Sequence, residues 1–299
     1  MSTLKRGRAF DAVVPHDIRM DIRIHAPKDR VFEHILLPHH LARWWCSFAQ
    51  VSPKPGGAFN FGGDYCIVPP EGHAHKCVFT GGEVRKSVTF TWPLFGVDTT
   101  ANWSVEEEGE SSRFSLVHGG LAQTEGPCGE IRDAYRVCLG NLKAICENRG
   151  DSLRPEYAPL AKPEIRLVIL VDVPSEKVFD ALAAKDRLAA WATRDEAADV
   201  ELRTGGLSAW EPRSATVAAV EPGRRLSMSW PRTGTATFDL EPKSSGTGVY
   251  FRHEGLPEDA QALRNLRGRW SSLLVDLKNY LEAGEVGFLE SYEEQRAES

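Results

Sequence analysis

A chain of 299 residues is about twice the commonest domain length, so two domains are expected before any residue is read. A net charge of −6, with 41% apolar and 26% charged residues, is that of an ordinary globular protein and speaks against a general nucleic-acid binder, which carries a basic excess. No apolar run approaches the ~20 residues that span a bilayer, and Lys5, Arg6 and Arg8 are followed by no apolar stretch of a secretory signal, so a cytoplasmic location is expected.

The first predicted element is a strand over 21–25, running into Ala26-Pro27 and a helix with Val31 and Ile35 on one face. A second short helix ends at Trp44-Trp45. Both recur: Ala26-Pro27 with Val31-Phe32 matches Val173-Pro174 with Val178-Phe179, and Leu41 with Trp44 matches Leu188 with Trp191, all 147 residues on. Gly56-Gly57 then matches Gly205-Gly206 at 149, and Thr91-Trp92-Pro93 matches Ser229-Trp230-Pro231 at 138, so the first copy carries 11 extra residues, placed within 62–76. Strands follow. Thr99, Ala101, Trp103 and Val105 share one face, as do Ala236, Phe238 and Leu240; Phe114, Leu116 and His118 correspond to Val249, Phe251 and His253.

Each copy closes on a long helix. Ile131, Tyr135, Cys138, Leu142 and Ile145 form one apolar stripe, repeated by Leu266, Trp270, Leu273, Leu277 and Tyr280 at an offset of 135. With His118, Gly120 and Leu121 matching His253, Gly255 and Leu256 at 135, these anchors recur in the same order and make this an internal repeat. Residues 154–163, with three prolines and no periodicity, read as the linker, which gives domains 1–158 and 159–299. The acidic tail after Gly284 is expected to be solvated. An alternating antiparallel sheet and a long striped helix have one simple packing, the sheet curled over the stripe.

The order strand, helix, helix, sheet, long helix resembles the START-like or SRPBCC superfamily, the helix-grip fold. Both copies are most similar to the heat-shock-protein-90 ATPase activator-like family, through Ala26-Pro27, Val31-Phe32, Trp44-Trp45, Pro55-Gly56-Gly57, Thr91-Trp92 and Leu116 to His118 with their counterparts. The resemblance implies an α+β protein of two tandem helix-grip domains, each a curved antiparallel sheet around a C-terminal helix. It also implies a cavity between sheet and helix, in which superfamily members bind hydrophobic molecules or catalyse cyclisation or dehydration.

On that frame the first domain is the expected binder of a small hydrophobic or aromatic molecule, contacted by Trp45, Tyr65, His75, Cys77, Trp92, Trp103, His118 and Tyr135, with residues 62–76 as its lid. Two alternatives stand beside it: a cyclase or dehydratase using polar residues such as His118 or Tyr65, and a stress-related co-chaperone acting through its surface. No catalytic residue is assigned. His118 and His253, inward at a strand end, read either as ligand-orienting groups or as buried histidines bonded to the adjacent turn. Cys66, His73, His75 and Cys77 are residue types that zinc prefers, but their spacing matches no established module, so ordinary hairpin residues are expected, with no metal and no cofactor. Cys138 shares its stripe position with Leu273 and reads as core, while Cys128 sits near a helix start with no base assigned. A protein partner stays open. No nucleic-acid partner is expected.

Overall fold

A computed structural model describes residues 17–70, 72–121, 128–192, 216–231 and 234–289. Strand β1 (Ile18–Ile24) begins a little upstream of its predicted start and turns Ile18, Met20, Ile22 and Ile24 inward. The Pro27 φ of −59° suits the residue before a helix, and α1 (Lys28–Leu36) follows with Asp29 in its first turn, where a carboxylate meets the positive end of the helix dipole. Helix α2 (Pro38–Trp44) starts on a proline, whose missing N–H costs nothing there. Then come β2 (Phe48–Val51), β3 (Gly57–Gly62), β4 (Ala74–His75), β5 (Val78–Gly81), β6 (Ser87–Leu94), β7 (Val97–Glu108), β8 (Ser111–Gly119) and the long α3 (Cys128–Cys146).

The second copy runs β9 (Ile165–Val171), α4 (Ser175–Ala183), α5 (Lys185–Ala192), β10 (Thr216–Glu221), β11 (Arg225–Trp230), β12 (Gly234–Lys243), β13 (Gly246–Glu254) and α6 (Ala260–Ala283), with β14 (Phe288–Leu289) last. Asp259 caps α6 by accepting from the amides of Gln261 and Ala262, and Gly284 ends it at φ 81°, a conformation that favours glycine. The sequence repeat is a structural repeat: Ala101 lies opposite His118, and Ala236 lies opposite His253.

Each sheet is antiparallel, ordered β14-β1-β8-β7-β6-β5-β3-β2 with β4 beside β3, and β10-β11-β12-β13-β9. Each closes over its own helix stripe, so the described residues form two separate hydrophobic cores. This is the α+β arrangement expected. The predicted Gly205-Gly206 match lies outside the described residues, as does the side chain of Cys128.

Two relationships between the copies escape the repeat. Helices α3 and α6 pack on each other: a Cβ on Gly140 would stand 2.4 Å from Val275 Cγ1, and the Asn279 amide donates to the Gly140 carbonyl at 3.1 Å. Arg136 and the buried Asp276 pair there at 3.0 Å. The expectation of a solvated tail fails for its first part, because the carbonyl of Gly287 accepts from the Arg23 amide at 2.8 Å and β14 pairs with β1 as an outer strand of the first sheet. Phe288 lies under the Arg136 guanidinium, 4.0 Å away, so an aromatic ring among glutamates found a cation and an apolar ledge.

Candidate functional site

Five elements of the first domain aim rings at one place. Trp45 follows the last turn of α2, Trp92 is on β6, Trp103 on β7, His118 on β8 and Tyr135 on α3, and all five are fully buried. Trp45 is the hub, with ring centroids 4.9 Å from Trp103, 5.5 Å from Tyr135, 5.8 Å from Trp92 and 5.3 Å from Phe61. Most of these contacts are edge-to-face, the orientation that sets the positive rim of one ring against the negative face of another. Trp92 and His118 are instead stacked, 9° apart in plane at 5.1 Å.

Behind the rings runs a directed chain of hydrogen bonds. The Thr99 hydroxyl donates to the Trp92 carbonyl at 2.6 Å, so its single proton is spent. It therefore accepts from His118 Nε2–H at 2.7 Å, and His118 Nδ1 accepts from the Tyr135 hydroxyl at 2.8 Å. Burial holds His118 neutral, its pKa pulled down to about 3, and pushes the Tyr135 phenol well above its ordinary value. Of the two readings of His118, the ring's bonds are those of a satisfied buried histidine, although its partners are a threonine and a tyrosine and not the adjacent turn.

The structure gathers most of the predicted ligand contacts. His75 joins the network, 5.2 Å from both Phe61 and Trp92, and its Nε2 lies 2.6 Å from the Val68 carbonyl and 3.3 Å from that of Ile67. It thereby pins the inserted hairpin to the core. Cys77 is buried, as are Cys46, Cys66 and Cys138, and burial pushes all four thiols up, so they sit as protonated apolar groups. Tyr65 stands apart. It is 47% exposed, lies 5.6 Å from the Arg154 guanidinium, and lines an open cleft of about 810 Å³ between the hairpin and residues 156–158. Of the zinc-type quartet, His73 stacks on Phe48 at 4.2 Å and His75 is spent on carbonyls, and no metal-ligating cluster of three occurs among the described residues.

Three buried indole N–H groups of this network, those of Trp45, Trp92 and Trp103, have no acceptor among the described residues. Elsewhere the fold supplies one. Trp44 donates to the His34 carbonyl and Trp191 to that of Ala181, each at 2.9 Å and ten residues back, and Trp270 donates to His253 Nδ1 at 3.0 Å. In the second domain Ala192 follows Trp191 where Trp45 follows Trp44, Phe238 replaces Trp103, Trp270 replaces Tyr135 and Gly234 replaces Thr99.

One duplicated arrangement was missed by the sequence reading. The buried Lys143 donates to the Arg23 carbonyl and to Glu147, at 3.0 and 2.7 Å, while Glu147 accepts from the His25 amide at 2.8 Å. Lys278, Leu170, Glu282 and Asp172 repeat it at 2.8, 2.6 and 3.0 Å. The matching lysine and glutamate at the 135-residue offset were the available signal.

A family model described as activator of Hsp90 ATPase homolog 1-like protein matches residues 25–147 and again 172–282. No curated protein matches the chain. Among solved structures, DynU16 of the dynemicin biosynthetic locus aligns at 15% identity over 91% of this chain and 99% of its own, with a TM-score of 0.40. CalU16 from Micromonospora echinospora aligns at 21% over 46% and 76%, with a TM-score of 0.37. The Aha1 dimer from Colwellia psychrerythraea aligns at 21% over 40% and 97%, with a TM-score of 0.34.

Proposed function

The chain belongs to the activator of Hsp90 ATPase homolog 1-like family through both of its halves, and from that premise we propose that it is a cytoplasmic binding protein for a small aromatic molecule held between sheet and α3 of its first domain. The fold is one whose members bind hydrophobic ligands or act as cyclases. Among the described residues no helix is long and apolar enough to cross a membrane.

The observation that carries the reading is the convergence of Trp45, Trp92, Trp103 and Tyr135, from four elements, on one ring network beside His118. A flat aromatic guest can take the place of a ring–ring contact there and keep both stacking and edge-to-face partners. Entry needs the hairpin to swing away, and His75 is the side chain that holds it. We assign guest contact to Trp45, His75, Cys77, Trp92, Trp103, His118 and Tyr135, and contact at the outer lip to Tyr65. Residues 1–158 form the binding domain. Residues 159–299 buttress it through α6 and β14.

Turnover is the less supported reading. A cyclase or dehydratase would need His118 to exchange protons with substrate, and both of its ring nitrogens are engaged, with Thr99 and Tyr135, in a neutral buried ring.

Native mass spectrometry of freshly purified protein, joined to tryptophan-emission titration with an aromatic library, tests the proposal. A co-purified small molecule or saturable quenching is expected. A protein that carries nothing and responds to no member of the library overturns it.

A further inference from the structure

Resting on that reading, we infer that the guest is a neutral aromatic ketone or quinone, a flat molecule that accepts hydrogen bonds and offers none. The polar atoms of the ring network are unevenly matched. Its uncommitted donors are the N–H groups of Trp45, Trp92 and Trp103, all on fully buried rings and all without an acceptor among the described residues. Two of the groups able to accept are already committed: His118 takes the Tyr135 proton on Nδ1, and the carbonyl of Trp92 takes the proton of Thr99.

An unmet buried donor is costly, and native folds leave few. This fold meets that requirement for Trp44, Trp191 and Trp270, each with an acceptor at 2.9 to 3.0 Å. Three unmet donors on rings sharing the Trp45 hub, at 4.9 and 5.8 Å, are a local pattern. Among the described residues the second domain keeps one, on Trp230. A carbonyl oxygen brought among these indoles gains bonds that no protein group provides. A guest carrying N–H or O–H groups adds donors to a place that already has too many. No cationic side chain belongs to the ring network, so a carboxylate would enter without a counter-charge, and a neutral carbonyl is the fitting acceptor.

Three tricyclic probes of one shape separate the possibilities: fluorenone offers a carbonyl acceptor, fluorene no polar group, and carbazole an N–H donor. With the full chain, fluorenone is expected to bind roughly tenfold or more tighter than fluorene, the worth of about one net hydrogen bond, and carbazole no tighter than fluorene. The indole protons of Trp45, Trp92 or Trp103 should move downfield in the NMR spectrum with fluorenone and not with carbazole. Trp103→Phe should shrink the fluorenone-to-fluorene ratio; if that variant fails to fold, benzothienylalanine at position 103, of the same shape without the N–H, takes its place. Equal affinity for the three probes, or indole protons already shifted upfield by ring faces and unmoved by fluorenone, overturns the acceptor inference and leaves the binding reading standing. Binding of none of the three overturns both.

Discussion

The Tyr135 hydroxyl lies 2.8 Å from His118 Nδ1, and this bond fastens the middle of α3 to the end of β8 across the aromatic network. Since Thr99 gives its proton to the Trp92 carbonyl, the chain Tyr135, His118, Thr99, Trp92 has one direction and one tautomer. Tyr135→Phe keeps the ring and strips a donor from a buried nitrogen, so a loss of ~1–2 kcal/mol is expected in chemical denaturation. Thr99→Val should cost a similar amount. The double variant should cost less than the sum, because both act on one histidine. Strictly additive losses would show that the four groups are not a chain.

The same histidine gives the protein an acid limit. His118 has a folded pKa of about 3, below its ordinary value of 6.5, so between the two the unfolded chain binds more protons than the folded one. Its contribution is complete above pH 6.5 and is lost as pH falls toward 3, at up to about 1.4 kcal/mol per pH unit. His34, His40 and His75 are pulled the same way, chiefly by burial. The difference between wild type and His118→Asn isolates one ring. The wild type should lose stability more steeply between pH 6 and 4. Parallel curves would mean that His118 titrates equally in both states.

Trp103 is fully buried, with Trp44, Trp45, Phe59, Phe90 and Phe114 around it. Trp103→Ala is therefore expected to destabilise the first domain by ~3–5 kcal/mol. Thermal unfolding of the variant measures this. A loss below ~1 kcal/mol would mean that the surrounding rings are loose enough to close the gap.

Much of this architecture was legible in the chain. Periodicity of two placed Ala101, Trp103 and His118 inward, and periodicity near 3.6 placed Tyr135 opposite them, so the meeting of these side chains follows from two local patterns. The tie between His118 and Thr99 was not legible, because alternation gives the face of a side chain and not its hydrogen-bond partner. The exposure of Tyr65 was not legible for a related reason: an aromatic residue in an insertion has no periodicity to set its direction, and the hairpin turns it outward. The docking of β14 escaped notice because a two-residue strand after a glycine cap carries no pattern of its own.

Lys143 and Lys278 should tolerate loss of charge better than loss of a partner. Glu147→Ala leaves a buried ammonium with the Arg23 carbonyl and the weaker contact to Glu285, at 3.2 Å. A cost of ~3–5 kcal/mol is expected. Adding Lys143→Met should recover part of it, since a thioether of similar length needs no counter-charge. A double variant no more stable than Glu147→Ala would show that Glu147 acts through His25 and Arg149, its other partners, at 2.8 and 2.5 Å.

The contact of α3 with α6 sets how independent the two domains are. Each keeps its own core, so fragments 1–158 and 159–299 are expected to fold separately and unfold cooperatively. The first fragment loses β14, and Arg136 loses both Asp276 and Phe288, so its stability should fall while the two fragments reassociate on mixing. Gly140 is the place to test that association. An added methyl would stand 2.4 Å from Val275 Cγ1 and 3.1 Å from Asn279 Nδ2, so the helices must separate. Gly140→Ala should cost the full chain ~1–3 kcal/mol of stability through overpacking and weaken reassociation of the fragments by a comparable amount. Because Val275 is the nearer obstacle, Val275→Ala in the same chain should return most of that loss, a coupling a double-mutant cycle reads directly. Two molten fragments would show that the copies share one folding unit, and an absence of coupling between positions 140 and 275 would show that the glycine serves the backbone of α3 and not the seam.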